Sequence, residues 1–410
     1  MKHFLRSATL LTVGLLLMGC SHAIQKDHVF PLGLWYEGGV GDARDNVLPK
    51  DPKQAAPVYD RNFADIAAHN INVVVVPNSP PDHHKPLLDA AAAHHLLVIP
   101  ELGLDGGPIG NMIRGGNAVD PAVVQQQFKD VLDPIKNHPA FWRVQLLDEP
   151  AGGPPMKNYA TVAAALNAHD PKIKPFCCLA GPGPVHEFVQ VVRPDVAAFD
   201  FYPIGNAKPA NDLQGIRDFE NASAASVGEA RKVGADCWAV IQCHAITGIL
   251  RYPSPTEVRA MTWVSLGTGA KGVFWFLYQT EHFTQNQVMD GLVDRDFNAR
   301  PDWDEVGRLA KELKLLTPTL INLKPAADEK PTVIRRKSMY PMVDIKGHKY
   351  LLAVNVDPGE HQTLHLSLKT TAKKVVRLPD NKLIPSVRKG DMLTWHEDFE
   401  PGSGALYRVE

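Results

Sequence analysis

Short apolar runs alternate along the chain with longer stretches of helical periodicity, and this alternation restricts the folds open to it. Val73–Val76 and Val273–Phe276 contain no polar residue. A strand of that kind needs apolar cover on both faces, which a parallel sheet wrapped in helices provides. The sequence predicts eight strands: Phe30–Tyr36, Asn72–Pro77, Leu96–Leu102, Phe141–Leu147, Pro175–Leu179, Val196–Phe201, Cys237–Gln242 and Gly272–Leu277.

Helical patterns fill the intervals between these strands, and several have recognisable first turns. Asp120-Pro121 offers an N-cap followed by proline, and Ser254-Pro255-Thr256-Glu257 and Asp302-Trp303-Asp304-Glu305 have capping-box spacing. Further helical patterns cover Arg61–His69, Lys85–His95, Lys157–His169 and Gly228–Val233. Eight strand–helix pairs predict an α/β chain folded as a (β/α)8 TIM barrel. An open doubly wound sheet is the alternative, although no glycine-rich nucleotide-binding loop follows the first strand.

The hydrophobic period changes after Thr317-Pro318 from helical spacing to alternation every second residue. This pattern predicts a small C-terminal antiparallel β-sandwich. A chain of 410 residues is long enough for two domains. We place the barrel at residues 30–322 and the β domain at residues 323–410. The strands predicted in the β domain are Lys349–Val356, Gln362–Leu368, Lys373–Leu378 and Met392–His396.

The first 20 residues have the composition of an export signal. Lys2 and Arg6 precede the apolar run Leu10–Met18, which is too short to span a bilayer. Leu17-Met18-Gly19-Cys20 resembles a lipobox, where the signal is removed and the cysteine becomes lipidated. We therefore expect a lipoprotein signal peptide over residues 1–20, a lipidated Cys20 and a short tether over residues 21–29, with a plain cleaved signal as the alternative. Ser21, which follows the cysteine, resembles the residue at that position in lipoproteins sorted to the outer membrane. We therefore expect the protein to be anchored to that membrane, on its periplasmic or cell-surface face.

The charge and the remaining cysteines narrow the classes of partner and site. A formal net charge of −2 gives no field that favours nucleic acid or an anionic membrane surface, so we expect neutral partners. Export would permit disulfides, but the four cysteines lie in or beside apolar runs and favour buried free thiols: Cys177, Cys178, Cys237 and Cys243. His83-His84 and His94-His95 lack the spacing of helical zinc ligands. We expect no metal or other cofactor, with a metal-dependent hydrolase as an alternative.

In a (β/α)8 barrel, functional residues gather at the C-terminal ends of the strands, because the loops there vary over a packed core. The fourth predicted strand ends in Asp148-Glu149-Pro150, where the proline turns the chain away. Two adjacent carboxyl groups tend to raise one pKa, as a general acid requires. A salt-bridged strand end is the structural alternative.

This arrangement resembles the large (β/α)8 glycosidase clan, in which an apolar fourth strand delivers the catalytic acid/base glutamate. The resemblance covers most of the mature chain and depends on the order of several short motifs. It implies that Glu149 protonates the leaving oxygen of a glycoside. The other motifs are Asp200-Phe201-Tyr202-Pro203, Arg251-Tyr252-Pro253, Pro255–Arg259, Gly269–Trp275, Gly291–Asp294, Trp303 and Leu313–Pro318.

Two departures from that clan change the expected chemistry. Retaining members carry a nucleophilic glutamate at the end of strand seven, where this chain has Gln242, and Asp148 stands where asparagine precedes the acid/base. Because an amide cannot form a glycosyl ester, either another strand end supplies the second carboxylate, which we prefer, or the barrel binds sugar without cleaving it. The candidates are, with the two preferred ones first, Glu281, Asp200, Glu101 and Glu37. Inversion needs a carboxyl separation of about 6.5–9.5 Å and retention about 5–5.5 Å.

Polar groups and aromatic faces around these carboxylates would hold a sugar ring. Trp142 and Trp238 open their strands and are predicted to be structural. For each aromatic residue near the strand ends that could stack on a sugar, a role in the core is at least as good an alternative. We predict the substrate-binding residues Glu37, Glu101, Asp148, Tyr202, Gln242, His244, Trp275 and Tyr278.

The sequence therefore predicts a glycoside hydrolase-like lipoprotein that cleaves oligo- or polysaccharide. Its expected partners are a carbohydrate substrate and, through the lipid, a membrane; nucleic acid is not expected, and the oligomeric state stays open. The alternative is a barrel lipoprotein that binds glycans without cleaving them.

Overall fold

The structure, a computed structural model, describes residues 29–36, 48–77, 79–101, 107–115, 118–150, 152–284, 287–327 and 329–410. The predicted signal peptide, Cys20, almost all of the tether and Glu37 lie outside these residues. None of the helices within them combines the length and the hydropathy that crossing a membrane requires.

Parallel strands occupy all eight positions predicted for the first part of the chain, and most are shorter than predicted. Their bounds are β1 Leu32–Trp35, β2 Val73–Val76, β3 Leu97–Pro100, β4 Val144–Gln145, β5 Pro175–Phe176, β6 Val196–Asp200, β7 Asp236–Gln242 and, after a short β8 at Ala245–Ile246, β9 Val273–Phe276. Six of them form one sheet in the order β3-β2-β1-β9-β7-β6, and β4 pairs with β5. Every one of these pairings is parallel.

The β4–β5 pair makes parallel contacts with both edges of the six-stranded sheet. Isolated bridges join Val98 to Phe141 and Glu101 to Gln145, between β3 and the segment of β4. Another bridge joins Ala180, just after β5, to Asp200 at the end of β6. The C-terminal ends of β3, β4, β5 and β6 therefore lie side by side.

Proline is the first residue of most described helices, where its fixed φ suits the first turn and its missing N–H costs no hydrogen bond. The predicted caps at Asp120 and Ser254 are confirmed, since their side chains accept from Ala122 N and Glu257 N. The capping box predicted at Asp302 is wrong, because the helix begins at Pro301 with Arg300 as its N-cap. The bounds are α1 Pro52–Ala68, α2 Pro81–Ala93, α3 Pro108–Arg114, α4 Pro121–Gln127 with a π-helical turn Phe128–Leu132, α5 Pro154–His169, α6 Pro182–Val191, α7 Leu213–Lys232, α8 Pro255–Thr268 and α9 Pro301–Leu320.

Apolar side chains cover both faces of the parallel strands, as the unbroken apolar runs predicted. Alternate residues of a strand enter different clusters: Val73 and Val75 of β2 pack in one, and Val74 and Val76 in the other. The larger cluster includes the apolar faces of the helices. The smaller cluster is made mainly by the strands, and Trp238 packs there, stacked on Trp142 with ring centroids 5.4 Å apart.

The C-terminal part folds into two antiparallel sheets, as predicted. The strands are β12 Lys324–Pro325, β13 Thr332–Ile334, β14 Lys337–Val343, β15 Lys349–Asn355, β16 Gln362–Lys369, β17 Val375–Leu378, β18 Lys382–Ile384, β19 Val387–Lys389, β20 Met392–Phe399 and β21 Gly404–Val409. One sheet has the order β12-β14-β15-β21-β17-β18, with β13 on β14, and the other has the order β16-β20-β19. Apolar residues from both sheets, such as Leu351 and Trp395, form a shared core that fits a sandwich.

A small separate sheet joins β10 Glu281–Thr284, β11 Gln287–Asp290 and β8.

Helices α7 and α8 pack against the larger C-terminal sheet. The buried carboxylate of Glu220 in α7 accepts hydrogen bonds from the hydroxyls of Ser338 and Tyr340, and pairs with Arg217 at 2.5 Å. Arg217 also donates to the carbonyl of Arg335 at 2.8 Å. In α8, a Cβ on Gly267 would overlap the Tyr340 ring. The junction therefore combines a satisfied polar network with a backbone approach that only glycine permits.

We expect Gly267→Ala to lower the free energy of unfolding by about 1–3 kcal/mol, because the added methyl displaces the Tyr340 ring from a packed interface. Gly228→Ala is the matched control: it is also a helical glycine, but its Cβ would meet nothing within 4 Å. That control should be neutral or stabilising by up to about 1 kcal/mol, since alanine is the better helix former. Denaturant unfolding of both variants measures the difference, and equal effects would contradict the proposed close contact.

Candidate active site

Two carboxyl groups from different strands meet at the C-terminal ends of β4 and β6. Glu149 follows β4 and Asp200 is the last residue of β6. The two carboxyl groups are close enough for the negative charge of Glu149 to raise the pKa of Asp200, and the side chain of Tyr202 lies beside the same carboxyl group. The structure thus brings together Glu149 and one of its two preferred catalytic partners.

Burial raises the pKa of Asp200 well above its ordinary value, and the negative charges of Glu149 and Asp148 raise it further. The neighbouring Tyr202 side chain lowers the pKa of Asp200, but this effect is weaker than those of burial and of the two negative charges. Asp200 is only 9% exposed, so water screens these charges poorly. The pair therefore retains a proton at a pH where isolated carboxyl groups have lost theirs.

The backbone of the strand between them sets the spacing of this pair. The Glu149 N–H donates to the carbonyl of Cys178 at 3.2 Å, and the Asp200 N–H donates to that of Leu179 at 3.1 Å. The end of β5 is therefore the spacer between the two carboxyl-bearing residues.

Cys177 and Cys178 beside them are buried, and burial raises the pKa of both thiols well above the ordinary value. All four described cysteines are free and buried, as predicted.

Glu149 combines an exposed side chain with an unusual backbone conformation. Its φ is 44°, in the left-handed region that residues other than glycine seldom adopt. Such conformations cost of order 1–3 kcal/mol and concentrate at functional sites. The side chain is exposed to solvent, and its charge acts on the neighbouring Asp200. This arrangement leaves Glu149 accessible to a molecule bound above the strand ends.

Asp148 lies beside the pair and is less exposed than Glu149. Burial, followed by the negative charge of Glu149, raises the pKa of Asp148 to about 7, against the effects of Arg114 and Gln145. Its Oδ1 has no hydrogen-bond partner in the described chain. Glu101, 4% exposed, lies in bridge register with Gln145, and its charge acts on Cys177. Four carboxyl groups therefore gather at the ends of β3, β4 and β6.

Aromatic rings flank these carboxyl groups. Tyr202 meets the His244 ring edge-on at 4.6 Å and stacks with Phe276 at 5.8 Å. His244 donates from Nδ1 to the carbonyl of Phe276 at 3.1 Å, and burial lowers the pKa of His244 to about 4. The ring is therefore neutral at pH 7, with an unprotonated Nε2 that accepts no hydrogen bond from the described residues.

The structure corrects the prediction that Gln242 binds a sugar hydroxyl. Its Oε1 accepts from the N–H of Ile204 at 3.0 Å, and its Nε2 donates to the Ile204 carbonyl at 3.1 Å. Nε2 also approaches the carbonyls of Arg251 at 3.3 Å and His244 at 3.4 Å. The fully buried amide is committed to the loops that follow β6 and β7, so it holds the backbone and has no group left for a ligand.

The structure also disagrees with the prediction that Trp275 and Tyr278 bind substrate. Trp275 is fully buried and donates from Nε1 to Thr262 in α8 at 3.3 Å, and Tyr278 donates to Asp65 in α1 at 2.8 Å. Both pack in the cluster that the strands share with the helices. Glu281, the first residue of β10, is 7% exposed and pairs in register with Met289. Its catalytic role stays a prediction, as does the role of Glu37, which lies outside the described residues.

Gln145 and Phe276 were missed as site residues. Gln145 is the polar position in the run Val144–Leu147, and that signal was available in the sequence. Phe276 gave none, because it belongs to an unbroken apolar run. His83 and His84 bond Tyr59 and the Ser79 carbonyl, and no cluster of three or more potential metal ligands occurs in the described part of the chain.

The middle of the chain matches a glycosidase family model. Residues 162–316 match Glyco_hydro_42, whose description is beta-galactosidase. This match includes Asp200 and Gln242 but begins after Glu149 and covers less than half of the chain. No curated protein matches the sequence.

Two solved glycosidases have a similar fold. Beta-galactosidase from the psychrophilic Marinomonas ef1 has a TM-score of 0.53 and 14% identity, over 71% of this chain and 61% of that one. Beta-galactosidase from Bacillus circulans sp. alkalophilus has a TM-score of 0.55 and 11% identity, over 72% and 58%. This chain therefore spans less than two thirds of either enzyme's length. The likeness establishes a glycoside hydrolase-type fold of the TIM-barrel class.

We expect Gln242→Glu to destabilise the protein by about 3 kcal/mol, because a carboxylate cannot donate to the carbonyls that Nε2 now satisfies and would be buried among them. Gln190→Glu, at an exposed position of α6, is the matched control and should change stability by less than about 0.5 kcal/mol. Urea unfolding at pH 7 measures both. Wild-type stability in Gln242→Glu would contradict the anchoring role of the amide.

The raised pKa of Asp148 predicts a pH-dependent cost to stability. Below about pH 4 the carboxyl is neutral in the folded and unfolded chains, and between about pH 4 and pH 7 only the unfolded chain ionises it freely, so stability falls as the pH rises. Asp148→Asn should therefore stabilise the protein by up to about 4 kcal/mol at pH 8 and by less than about 1 kcal/mol at pH 4. Unfolding at both pH values tests this, with exposed Asp296→Asn as the control. A gain of equal size at pH 4 would contradict the titration of Asp148.

Proposed function

We propose that this protein is a glycoside hydrolase that cleaves oligo- or polysaccharide, with Glu149 as the proton donor and Asp200 as its carboxylate partner. The observation that carries the proposal is the proximity of these two carboxyl groups, at the C-terminal ends of strands in a glycoside hydrolase-type fold. Glycoside hydrolysis generally requires two carboxyl groups in different protonation states. A pair in which burial and a neighbouring charge raise the pKa of one member well above its ordinary value can supply both states.

The proposal includes a closed eight-stranded barrel over residues 30–322 and a separate β domain over residues 323–410. The bridges from Glu101 to Gln145 and from Ala180 to Asp200 support closure, because they join the β4–β5 pair to the two free edges of the larger sheet. In a barrel of this kind the strand ends form one shallow hollow. A substrate bound there would lie above Glu149 and beside Tyr202.

Position and protonation together suggest the roles within the pair. Burial and neighbouring negative charges raise the pKa of Asp200, so the proton of the pair lies on Asp200 before substrate binds, while Glu149 is exposed. For Glu149 to protonate the leaving oxygen, this proton must pass from Asp200 to Glu149 when substrate enters. Asp200 is then a carboxylate that activates water or attacks the anomeric carbon. A separation of about 5–5.5 Å between the two carboxyl groups would favour retention, and one of about 6.5–9.5 Å would favour inversion.

Neighbouring groups suit a sugar ring. The Tyr202 and Phe276 rings can pack against apolar sugar faces. The His244 side chain is fully buried, so it supports the Tyr202 ring through their edge-on contact and does not reach a ligand. Asp148 and Glu101 add further hydroxyl ligands. β-Galactosides are the first substrates to test, because the matched family and the two similar structures carry that name.

A glycan-binding barrel without catalysis is the second candidate. The observation that favours it is Gln242, which stands at the end of β7 with every amide atom bonded to backbone. Binding to a glycan panel without release of any sugar would support this candidate.

We also propose that the protein is exported and lipid-anchored through Cys20 to the outer membrane. The support is the sequence of residues 1–20, with its basic start, apolar run and lipobox-like end. Metabolic labelling with a fatty acid, compared between the wild type and Cys20→Ala, tests it.

We expect Glu149→Gln and Asp200→Asn each to lower the turnover of aryl glycosides by about 10²- to 10⁴-fold, because each removes a proton-transferring group. Both substitutions keep the size of the side chain, so thermal unfolding should show an intact fold. Glu281→Gln is the matched control, since it removes the other preferred carboxyl candidate. If Glu281→Gln abolishes turnover and Asp200→Asn does not, the assignment of the partner is wrong. Undiminished cleavage by Glu149→Gln refutes its role as proton donor.

A further inference from the structure

A basic groove lies in the C-terminal β domain, at one end of its two sheets. Its volume is about 1410 Å³. The walls are the start of β15, the segment from the end of β16 to residue 374, the turn after β19 and the end of β21. No tryptophan, tyrosine or phenylalanine lines it, so it offers no aromatic face on which a neutral sugar could stack.

Pairing leaves an excess of positive charge in this groove. Each acidic side chain that lines it is paired: Glu329 with Lys349 at 2.5 Å, Asp391 with Lys369 at 3.1 Å, and Glu410 with Arg408 at 2.6 Å. Among the described residues these salt bridges leave Lys373, Lys374 and Arg388, while the backbone carboxylate of Glu410, the last residue, adds one negative charge beside the two lysines. A protein with a formal net charge of −2 thus has an excess of positive charge on one concave surface.

Arg388 is held in place in a way that leaves part of its guanidinium available. It donates from Nη1 to the carbonyls of Thr370 at 2.8 Å and Gly390 at 3.3 Å, and from Nη2 to that of Ala372. Three of its five N–H groups are therefore committed, and Nε–H and one N–H of Nη2 remain. Two N–H groups on one guanidinium suit the two oxygens of a carboxylate or sulfate.

The two free lysines are fixed by their backbone. The N–H groups of Lys373 and Lys374 both donate to the backbone carboxylate of Glu410, at 2.5 and 2.8 Å. Arg388 bonds the same loop through Thr370 and Ala372. The segment that carries the cations is thus held from two sides, which reduces the entropy lost when a ligand binds.

We propose that this groove binds an anionic oligosaccharide, one whose sugars carry carboxylate or sulfate groups. Three cations spaced along a concave surface match a chain with repeated negative charges better than a flat bilayer. The site is separate from the carboxyl-rich strand ends, which would repel such a chain. The binding does not depend on whether the barrel cleaves glycosides.

Calorimetric titration of the purified protein with oligogalacturonate, and with a neutral galacto-oligosaccharide of the same length, tests the proposal. We expect binding of the anionic chain only, and weaker binding at higher salt because exposed ion pairs are screened. Lys373→Glu/Lys374→Glu should weaken it about ten-fold or more, since two attractive contacts become repulsive. Lys314→Glu/Lys382→Glu, the same charge change at exposed positions outside the groove, is the matched control and should stay within about two-fold of the wild type.

Several outcomes would overturn the proposal. They are equal binding of the neutral chain, no binding of the anionic one, and equal losses in the two double variants. Binding to phosphatidylglycerol vesicles that depends on Lys373 and Lys374, without binding of oligogalacturonate, would assign the groove to a membrane surface instead. Glu149→Gln should bind oligogalacturonate like the wild type, and a loss there would place the ligand in the barrel. The proposed glycosidase activity is measured separately and can fail without affecting this result.

Discussion

The electrostatic interaction between Glu149 and Asp200 is the one on which the functional interpretation depends. Because Asp200 is buried beside the negative charge of Glu149, its pKa is raised well above the ordinary value, and its carboxyl group keeps a proton at a pH where an isolated one has lost it. The backbone holds them there, through the bonds of Glu149 N to Cys178 and of Asp200 N to Leu179. The chemistry of the pair therefore follows from the spacing of parallel strands, with β5 between the two contributing strands.

The scaffold and half of this pair could be predicted from the sequence, because they depend on patterns that are local. Apolar runs located the eight strands, and the Asp148-Glu149-Pro150 end identified Glu149. Asp200 was one of the two preferred partners of Glu149. Which of the two lies beside Glu149 depends on how the strand ends pair in space, and a sequence does not show that pairing. The extent of α7 was missed, because alanine, serine and glycine on its packed face weaken the hydrophobic period.

The side-chain directions at the strand ends could not be predicted, and the reason is physical. In a strand that is apolar on both faces, no alternation of polarity distinguishes the inner face from the outer one. Trp275 was therefore assigned to the substrate site, although it faces α8, and Phe276, which contacts Tyr202, was overlooked. Gln242 was misjudged for another reason. Its partners are backbone atoms of loops whose path a sequence does not disclose.

Gln242 also explains why a carboxylate at the end of β7 would be incompatible with this chain. The loops after β6 and β7 present carbonyl oxygens to that position, from Ile204, His244 and Arg251. A carboxylate there would add a buried negative charge to a ring of acceptors and leave them without a donor. The same loops carry Tyr202 and His244, which flank the carboxyl pair. An amide at Gln242 thus orders the surroundings of the site, and the carboxylate that the structure places beside Glu149 is Asp200 of β6.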